Sequence, residues 1–198
     1  LAAYVNAGAS ALTMAEDSLL TVSKSRLHLT WMDAVFGNVV MTPRSGKIVE
    51  INALWFYAIK IMESLACGYD EKDQMFYQRL ALQVKTSYGK VFWNERENCL
   101  YDFVDGEVKD ASIRPNQIFA VSIPCLLLER KMEMAVVKCV EKHLLTPYGL
   151  RTLAPDDRQY RPYYNGDQYE RDVAYHQGTV WPWLLGAFAD AYLKVHGD

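Results

Sequence analysis

Apolar residues recur at helical spacing in two neighbouring stretches, and this pattern leaves the chain few possible folds. In residues 50–66 apolar side chains return every three or four positions, and in residues 70–92 they return every fourth position from Phe76 to Tyr88. A period near 3.6 residues is that of an α-helix with one buried face. Gly68 lies between the stretches and is a natural helix end. The sequence therefore predicts two long helices joined by a short turn.

Further helices are predicted along the rest of the chain from the same kind of pattern. One short helix is expected before residue 28, followed by a turn near Ser18, and Pro124 predicts a kink in a later, strongly apolar helix. The three later helices are expected over residues 117–128, 131–145 and 179–195.

The segments between the predicted helices are too long to be simple connections. Loops beyond about 12–15 residues are usually functional. Strand-like alternation is almost absent, so the sequence predicts an all-α domain. The alternation of helices and long loops resembles that of a toroid of helical hairpins. The long segments are residues 20–49, 93–114 and 146–178.

Composition and charge exclude several classes of partner. The chain has 198 residues, 51% of them apolar and 23% charged, which is typical of a soluble globular domain. The net charge is −3 without a basic stripe, which argues against nucleic acid. No apolar run reaches the roughly 18–20 residues that cross a bilayer, and no signal peptide opens the chain. We therefore expect a cytoplasmic protein without a membrane partner. Because the first residue is leucine, we also expect a piece of a longer chain.

Cysteine and histidine give no pattern of metal ligands. The four cysteines lie far apart without a CxxC pair, and the four histidines are equally scattered. We expect ordinary reduced thiols, no metal site and no cofactor.

The aromatic residues favour a carbohydrate ligand. There are 13 tyrosines, five tryptophans and seven phenylalanines, and many of them lie beside polar residues in the segment 160–183. Aromatic faces next to hydrogen-bonding groups suit sugars, which offer C–H faces and hydroxyl edges. For the aromatics within helices we favour plain core packing instead.

Carboxylates are the remaining candidates for catalysis. Asp33 follows Trp31 and Met32, so it is expected to lose hydration, favour its protonated form and be able to act as a general acid. The alternative is a helix cap or an ion pair with Arg44. Glu50 is either an acid that the dipole of its helix favours or an acceptor for a sugar hydroxyl.

Three further acids lie close together in the Tyr-rich segment: Asp167, Glu170 and Asp172. They form either a solvated loop face or part of a catalytic pair. An inverting glycosidase needs two carboxyls about 6.5–9.5 Å apart, one to protonate the leaving oxygen and one to activate water.

Several motifs together resemble the C-terminal amylo-α-1,6-glucosidase domain of glycogen debranching enzymes of the prokaryotic type. They are TWMDA, SIRPNQIFAVS, LLTPYGLRTLAPDD and YNGDQYERDVAYHQGTVWPWLLG, in that order, and the resemblance covers about residues 12–195. It implies an (α/α) toroid of the six-hairpin glycosidase type, of which residues 1–198 would be the C-terminal half. It also implies inverting hydrolysis of α-1,6-linked glucose at glycogen branch points.

The resemblance also implies roles for individual residues. The aspartate of TWMDA carries over as the general acid, Asp33, and Glu50 carries over to the wall that holds the sugar. Val180 stands where eukaryotic debranching enzymes have a glutamate, so related toroids point to Asp172 as the base, with Glu170 and Asp167 behind it. The substrate-binding residues expected are Trp31, Arg44, Glu50, Asn116, Gln117, Glu170, His176, Gln177, Trp181 and Trp183.

Two departures from the family keep other readings open. Asn38 replaces a familiar aspartate after TWMDA, and the family domain is considerably longer than this chain. The chain is alternatively a non-catalytic or incomplete sugar-binding fragment that needs a partner half or a second copy. A third reading is a toroid glycosidase of another specificity, resembling trehalase or invertase.

Overall fold

The computed structural model describes residues 12–23 and 29–197, and its larger elements are helices. A 3₁₀ turn over Pro115–Ile118 leads into the shortest of the helices, α3. The helices are α1 (Val49–Ala66), α2 (Glu71–Phe92), α3 (Phe119–Ser122), α4 (Arg130–Leu144), α5 (Gln168–Ala174) and α6 (Leu184–His196).

Short antiparallel strands fill much of the space between the helices. They pair as β1–β2, β3–β4, β5–β8–β9, β6–β7 and β10–β11–β12. The strands are β1 (Leu12–Met14), β2 (Leu20–Val22), β3 (Val35–Phe36), β4 (Val39–Val40), β5 (Lys47–Ile48), β6 (Trp93–Asn94), β7 (Cys99–Leu100), β8 (Phe103–Asp105), β9 (Val108–Asp110), β10 (Leu145–Thr146), β11 (Gly149–Arg151) and β12 (Val180–Trp181).

The prediction of an all-α domain is wrong, and so is the predicted (α/α) toroid of helical hairpins or its C-terminal half. The described residues form a mixed α/β structure with several small sheets. Each strand is two or three residues long. A sequence pattern needs about four to eight residues to show strand alternation, so strands this short leave no signal.

The long helices agree with the sequence, whereas the proline-rich and aromatic segments do not. Helices α1, α2 and α4 confirm the predictions within a residue or two, and the side chain of Asp70 caps α2 by accepting from the backbone N–H groups of Lys72 and Asp73. The helix predicted over residues 117–128 is wrong in extent, because α3 already ends at Ser122, two residues before Pro124.

The segment 146–178, predicted as a loop, contains β11 and α5, and the last helix begins at Leu184 after a strand rather than at residue 179. The turn near Ser18 is confirmed as the connection between β1 and β2. Residues 1–11 and 24–28, where part of the predicted first helix falls, lie outside the described residues.

The core forms where α1 packs against α2 and where α3, α4 and α6 meet. Asn52 on α1 is fully buried, and its amide exchanges hydrogen bonds with the backbone of Leu20, accepting at 2.7 Å and donating at 3.0 Å. Trp55, one turn further along α1, donates to the carbonyl of Ser18. These bonds hold the β1–β2 hairpin on α1, and α1 in turn carries Glu50 in its first turn. Within the described residues, no helix combines the length and the apolar character that a membrane span requires.

Candidate active site

The centre of the candidate site is a buried arginine held by two carboxylates. The Arg44 side chain is 1% exposed, and its Nη1 and Nη2 donate to the two carboxylate oxygens of Glu50 at 2.5 and 2.7 Å. Its Nε and Nη2 donate to the carboxylate of Asp102 at 2.7 and 3.1 Å, and Nη1 also lies 3.4 Å from the hydroxyl oxygen of Thr30. Every N–H of the guanidinium is therefore directed at a protein acceptor.

Charge balance allows this cluster to stay buried. Burial disfavours the charged form of Arg44, but the carboxylates of Asp102 and Glu50 outweigh it and raise its pKa. Burial raises the pKa of Asp102, while Arg44 and Arg114 act in the opposite direction. Burial lowers the pKa of Arg114. Two arginines and two acids leave the cluster without net charge, which buried ion pairs require.

Asp102 connects the charged cluster to the aromatic part of the site. The side-chain amide of Asn116 donates to Asp102 Oδ1 at 2.7 Å, and its oxygen accepts from Trp31 Nε1 at 2.8 Å. The same amide lies 3.5 Å from the sulfur of Met32. The indole of Trp31 is thus oriented by a chain of hydrogen bonds that ends on Arg44.

Arg114 makes the corresponding connection to the C-terminal motif HQG. Its Nη1 donates to the backbone carbonyls of His176 and Thr152 at 2.6 and 3.1 Å, and its Nη2 donates to Gln177 Oε1 at 2.7 Å. Its Nε lies 3.9 Å from the Asp102 carboxylate. Segments more than 60 residues apart in the sequence therefore meet on one guanidinium.

Aromatic rings cover this network. The Trp31 ring makes edge contacts with the rings of His176 and Trp183, with centroids 5.2 and 5.1 Å apart. Tyr175 contacts both His176 and Trp181 in the same manner. Edge-to-face pairs of this kind add about 0.5–1.5 kcal/mol beyond the burial of their area. They form an aromatic rim whose most exposed member, Trp183, is half exposed.

His176 is the unsatisfied member of this group. Its side chain is 2% exposed, and neither ring nitrogen has a hydrogen-bond partner among the described residues. Burial and the charges of Arg114 and Arg44 lower its pKa to about 4, so the ring is neutral near pH 7. A neutral imidazole offers one donor and one acceptor, and leaving both unpaired is costly. The ring thus keeps one donor and one acceptor that no described residue uses.

The predicted acid and base lie on two neighbouring surface elements. Asp33 precedes the β3–β4 hairpin and is exposed, so the loss of hydration expected for it is absent. Asp172 lies on α5 and is half-buried. The rings of Phe36 and Tyr169 join the two elements with centroids 5.3 Å apart. The carboxylates of Asp33 and Asp172 make no hydrogen bond or ion pair with other described residues.

The other two candidate acids hold α5 in place. Asp167 is the N-cap of α5 and accepts from the backbone N–H of Glu170 at 2.9 Å, while Glu170 accepts from the backbone N–H of Asp167 at the same distance. This reciprocal arrangement is a capping box. Both acids therefore have a structural task, unlike Asp172 on the same helix.

A surface cavity of about 370 Å³ opens beside α5. It falls in the size range of small-molecule sites. Its lining combines tyrosine rings with amide, guanidinium and carboxylate groups, and comes from Arg161, Pro162, Tyr163, Asn165, Tyr169, Glu170, Val173 and Ala174. Asp33 and Asp172 are not among the lining residues. A larger cavity of about 840 Å³, between α2 and the start of α4, contains none of the predicted site residues.

The structure divides the predicted substrate-binding residues into three groups. Those in the buried network or attached to it are Trp31, Arg44, Glu50, Asn116, Gln117, His176 and Gln177; those on the aromatic rim beside it are Trp181 and Trp183; and Glu170 lies apart on α5. Gln117 has its oxygen bonded to the backbone N–H of Leu100, and its amide donates to the carbonyl of Arg114. Direct sugar contacts by these residues stay predictions.

Two residues central to the network were missed by the sequence analysis, Asp102 and Arg114. Asp102 stands between Tyr101 and Phe103 in a segment that reads as an exposed loop, and an acid between two aromatics was the available signal. Arg114 lies within the motif SIRPNQ, but an arginine before a proline predicts only an extended backbone. In the part of the chain that the structure describes, no three histidine, cysteine or acidic side chains are grouped as a metal would require.

Comparisons with known proteins extend these observations. The chain is 35% identical over 94 residues to the glycogen debranching enzyme of Saccharomyces cerevisiae (strain ATCC 204508 / S288c); the match covers 44% of this chain and about 6% of that protein. A solved structure named as a sialidase superposes with a TM-score of 0.67 at 18% identity, over 93% of this chain and 16% of the other. At this identity the likeness concerns the fold alone. The matching structure is named a sialidase and not a six-hairpin toroid, which agrees with the mixed α/β architecture.

The family model described as amylo-alpha-1,6-glucosidase matches residues 1–198 and confirms the resemblance stated from the motifs. Three of the motifs that carry this resemblance, TWMDA, SIRPNQ and HQG, are joined by hydrogen bonds in the structure. Trp31 bonds to Asn116, and Arg114 bonds to Gln177. The chain belongs to the amylo-alpha-1,6-glucosidase family.

Proposed function

We propose that this chain supplies the catalytic acids and the aromatic binding surface of a glycoside hydrolase that removes α-1,6-linked glucose at the branch points of an α-glucan. Family membership and the glycogen debranching enzyme relative support the hydrolase role. The observation that carries the proposal is the contact between Phe36 and Tyr169, which joins the hairpin after Asp33 to the helix of Asp172.

The proposed mechanism is an inverting displacement with two carboxyls. Asp33 protonates the leaving glycosidic oxygen, and Asp172 removes a proton from the attacking water. Asp172 is favoured over Asp167 and Glu170 because those two side chains are occupied by the capping box. Asp172 is half-buried, and its carboxylate bonds to no other described residue, so it is available to water.

The buried network has a positioning role in this proposal. Arg44 donates to the carboxylates of both Glu50 and Asp102. Asp102 in turn holds Trp31 through Asn116, so these buried groups act by positioning Trp31 instead of contacting the sugar. Sugar contacts are assigned to Trp181, Trp183 and the tyrosines around the cavity beside α5. His176 offers its unpaired imidazole to a hydroxyl at the base of the rim.

The test is hydrolysis of a branched dextrin followed by the release of glucose. Asp33→Asn should lower kcat about 10²–10⁴-fold while leaving glucose binding nearly unchanged, because a general acid acts on the transition state. Asp190→Asn, at an exposed position on α6, is the matched control. Glucose released first as the β-anomer supports inversion, and trehalose and sucrose test the two other specificities. Turnover by Asp33→Asn at the wild-type rate would defeat the assignment.

A second candidate function, a non-catalytic sugar-binding fragment that needs a partner half or a second copy, is favoured by one observation. Large apolar side chains remain exposed on α1 and α2, namely Leu54, Ile61, Leu65, Met75 and Phe76. Apolar patches of this kind mark interfaces. Sedimentation measures the mass in solution, and an active monomer would argue against this alternative.

A further inference from the structure

The motif HQG also holds one wall of the cavity beside α5. The backbone N–H of Arg161, which lines that cavity, donates to the carbonyl of Gln177 at 2.6 Å. The side chain of Gln177 makes a second bond to the same stretch, because its Nε2 donates to Gln159 Oε1 at 3.1 Å. Pro162 and Tyr163, the next two lining residues, follow directly. The stretch that begins the cavity wall is therefore bonded to Gln177 at two points.

Gln177 connects this wall to the buried network. Its side chain is 5% exposed, and its Oε1 accepts from Arg114 Nη2 at 2.7 Å. Arg114 is in turn 3.9 Å from the carboxylate of Asp102. A side-chain amide combines an acceptor oxygen with a donor nitrogen, and Gln177 uses the first on the network and the second on Gln159. The amide is thus a direct link between the two regions.

Gly178 allows the two stretches to approach closely. Its φ is 146°, a backbone conformation that favours glycine. A Cβ at this position would lie 2.4 Å from the carbonyl oxygen of Arg161 and 2.8 Å from a ring carbon of Tyr160. The N–H of Gly178 donates to Thr152 Oγ1 at 2.8 Å, which holds the glycine in place. A larger residue would therefore have to displace the backbone that begins the cavity wall.

The far end of the same wall is fixed by local contacts. The carbonyl of Gly166 accepts from Arg171 Nη1, and the capping box closes the start of α5. These bonds lie within a few residues of each other, so they cannot set the distance between the wall and the buried network. A looser contact joins the rings of Tyr164 and Tyr175, with centroids 5.8 Å apart. The place of the wall relative to the network thus depends mostly on Gln177 and Gly178.

We propose that Gln177 and Gly178 are positioning residues that determine how tightly the cavity beside α5 binds an α-glucan chain. They act through Arg161 and Tyr163, which line the cavity, and not by touching the sugar. A wall that is ordered before binding costs the ligand less free energy than one that must be ordered by it. The inference rests on the proposed function for the class of ligand and for the sugar contacts in this cavity.

The test measures binding and turnover separately in two matched variants. Gln159→Ala removes the acceptor of Gln177 Nε2 at an exposed position, so the fold should be unaffected. The Kd of the 198-residue chain for a branched dextrin, measured by calorimetry, should rise about two- to tenfold, which corresponds to one hydrogen bond. KM should rise by the same factor while kcat stays unchanged. Gln78→Ala, at an exposed glutamine of α2, should change neither.

A double-mutant cycle tests the link itself. Gln177→Glu removes the same hydrogen bond from its other end, because a carboxylate accepts from Arg114 but cannot donate to Gln159. It should raise the Kd by a similar factor, and the variant with both changes should raise it no further. Losses that add up in the double variant would show that the two glutamines act independently and would contradict the proposal.

Gly178→Ala should have the largest effect on binding, a tenfold or greater rise in Kd, because the Arg161 carbonyl has to move. Hydrogen exchange, measured by mass spectrometry on peptides covering residues 159–164, follows the wall directly. These peptides should exchange faster in Gly178→Ala and in Gln159→Ala than in the wild type. Where Gly178→Ala folds poorly, Gln159→Ala decides, and wild-type exchange in that variant would overturn the link.

The outcomes separate this inference from the proposed function. A wild-type chain that binds dextrin without releasing glucose defeats the hydrolase assignment, and the Kd values of the variants still decide the positioning role. Equal Kd values in the wild type, Gln159→Ala and Gln177→Glu overturn the positioning role even where glucose is released. A chain that binds no dextrin contradicts both.

Discussion

The network around Arg44 and the segment 161–170 use the same polar residue types in opposite ways. In the network, acids, amides and guanidinium groups are buried and bonded to one another. In the segment 161–170 every residue is exposed, and its acids cap a short helix at the surface. Both regions were predicted to bind sugar, yet they present different chemical opportunities to a ligand.

This difference separates framework from contact surface. A ligand at the network would have to replace strong charge-assisted hydrogen bonds, whereas a ligand at the segment 161–170 displaces only water. Substitutions in the first region should therefore act on stability, and substitutions in or beside the second should act on binding and turnover. The predictions below test that division.

The largest effect is expected from substitution of Asp172, which should lower turnover. Asp172→Asn should reduce kcat about 10²–10⁴-fold, since the proposed base loses its proton acceptor. Glu170→Gln and Asp167→Asn on the same helix should reduce it far less. Initial rates on a branched dextrin, measured for all three variants, give the order directly. A larger loss in Glu170→Gln than in Asp172→Asn would transfer the role of base to Glu170.

A large effect on stability is expected from Arg44. Arg44→Met leaves the carboxylates of Glu50 and Asp102 buried without their cation, and breaking a buried pair costs about 3–5 kcal/mol. Arg158→Met, at an exposed position, should change the free energy of unfolding by less than about 0.5 kcal/mol. Urea unfolding measures both. Equal values for the two variants would remove the distinction between the regions.

The third prediction concerns His176, whose protonation should make the free energy of unfolding depend on pH. Its folded pKa of about 4 lies below the unfolded value of about 6.5, so the unfolded chain binds the proton first as pH falls. Stability should therefore be unaffected by His176 above pH 6.5 and fall between pH 6.5 and 4, by up to roughly 3 kcal/mol. His176→Phe should remove this part of the pH dependence.

The control for this measurement is His196→Gln, because His196 is exposed on the last turn of α6. It should keep the wild-type difference in the free energy of unfolding between pH 6.5 and 4. A steep wild-type slope that persists in His176→Phe would assign the titration to another group.

The smallest effect is expected at the capping box of α5. Asp167→Ala removes one side-chain cap from an exposed helix and should cost about 1 kcal/mol. Asp156→Ala, at an exposed position outside any helix, serves as the control in the same urea titration. A cost as large as that of Arg44→Met would mean that α5 supports the core, contrary to its exposed setting.

Prediction from sequence succeeded where local energetics decide the structure. Helices α1, α2 and α4 are long amphipathic segments, and Asp70 is a strong N-cap whose effect needs no distant partner. Local patterns did not predict the end of α3 before Pro124, nor the strands of two or three residues. Most of those strands form local hairpins too short to show alternation, and two pairings join distant segments, β5 with β8 and β11 with β12.

Several residues of the buried network lie in the motifs recognised from the sequence, whereas their arrangement came only from the structure. The motifs identified Trp31, Asn116 and His176, which the structure connects by hydrogen bonds and ring contacts. Asp102 was missed because its local signal, an acid between Tyr101 and Phe103, does not show that the side chain is buried and paired. Its importance comes from Arg44, 58 positions away, which only the fold brings within hydrogen-bond distance.

The amino-acid order alone determined the family and the three long helices, since motifs and helical periodicity are properties of neighbouring positions. Tertiary structure decided the mixed α/β architecture and divided the predicted site residues into a buried network and an exposed surface. The physical reason is that burial and ion pairing depend on which distant segments meet, and those contacts determine whether an acid is held by an arginine or faces water.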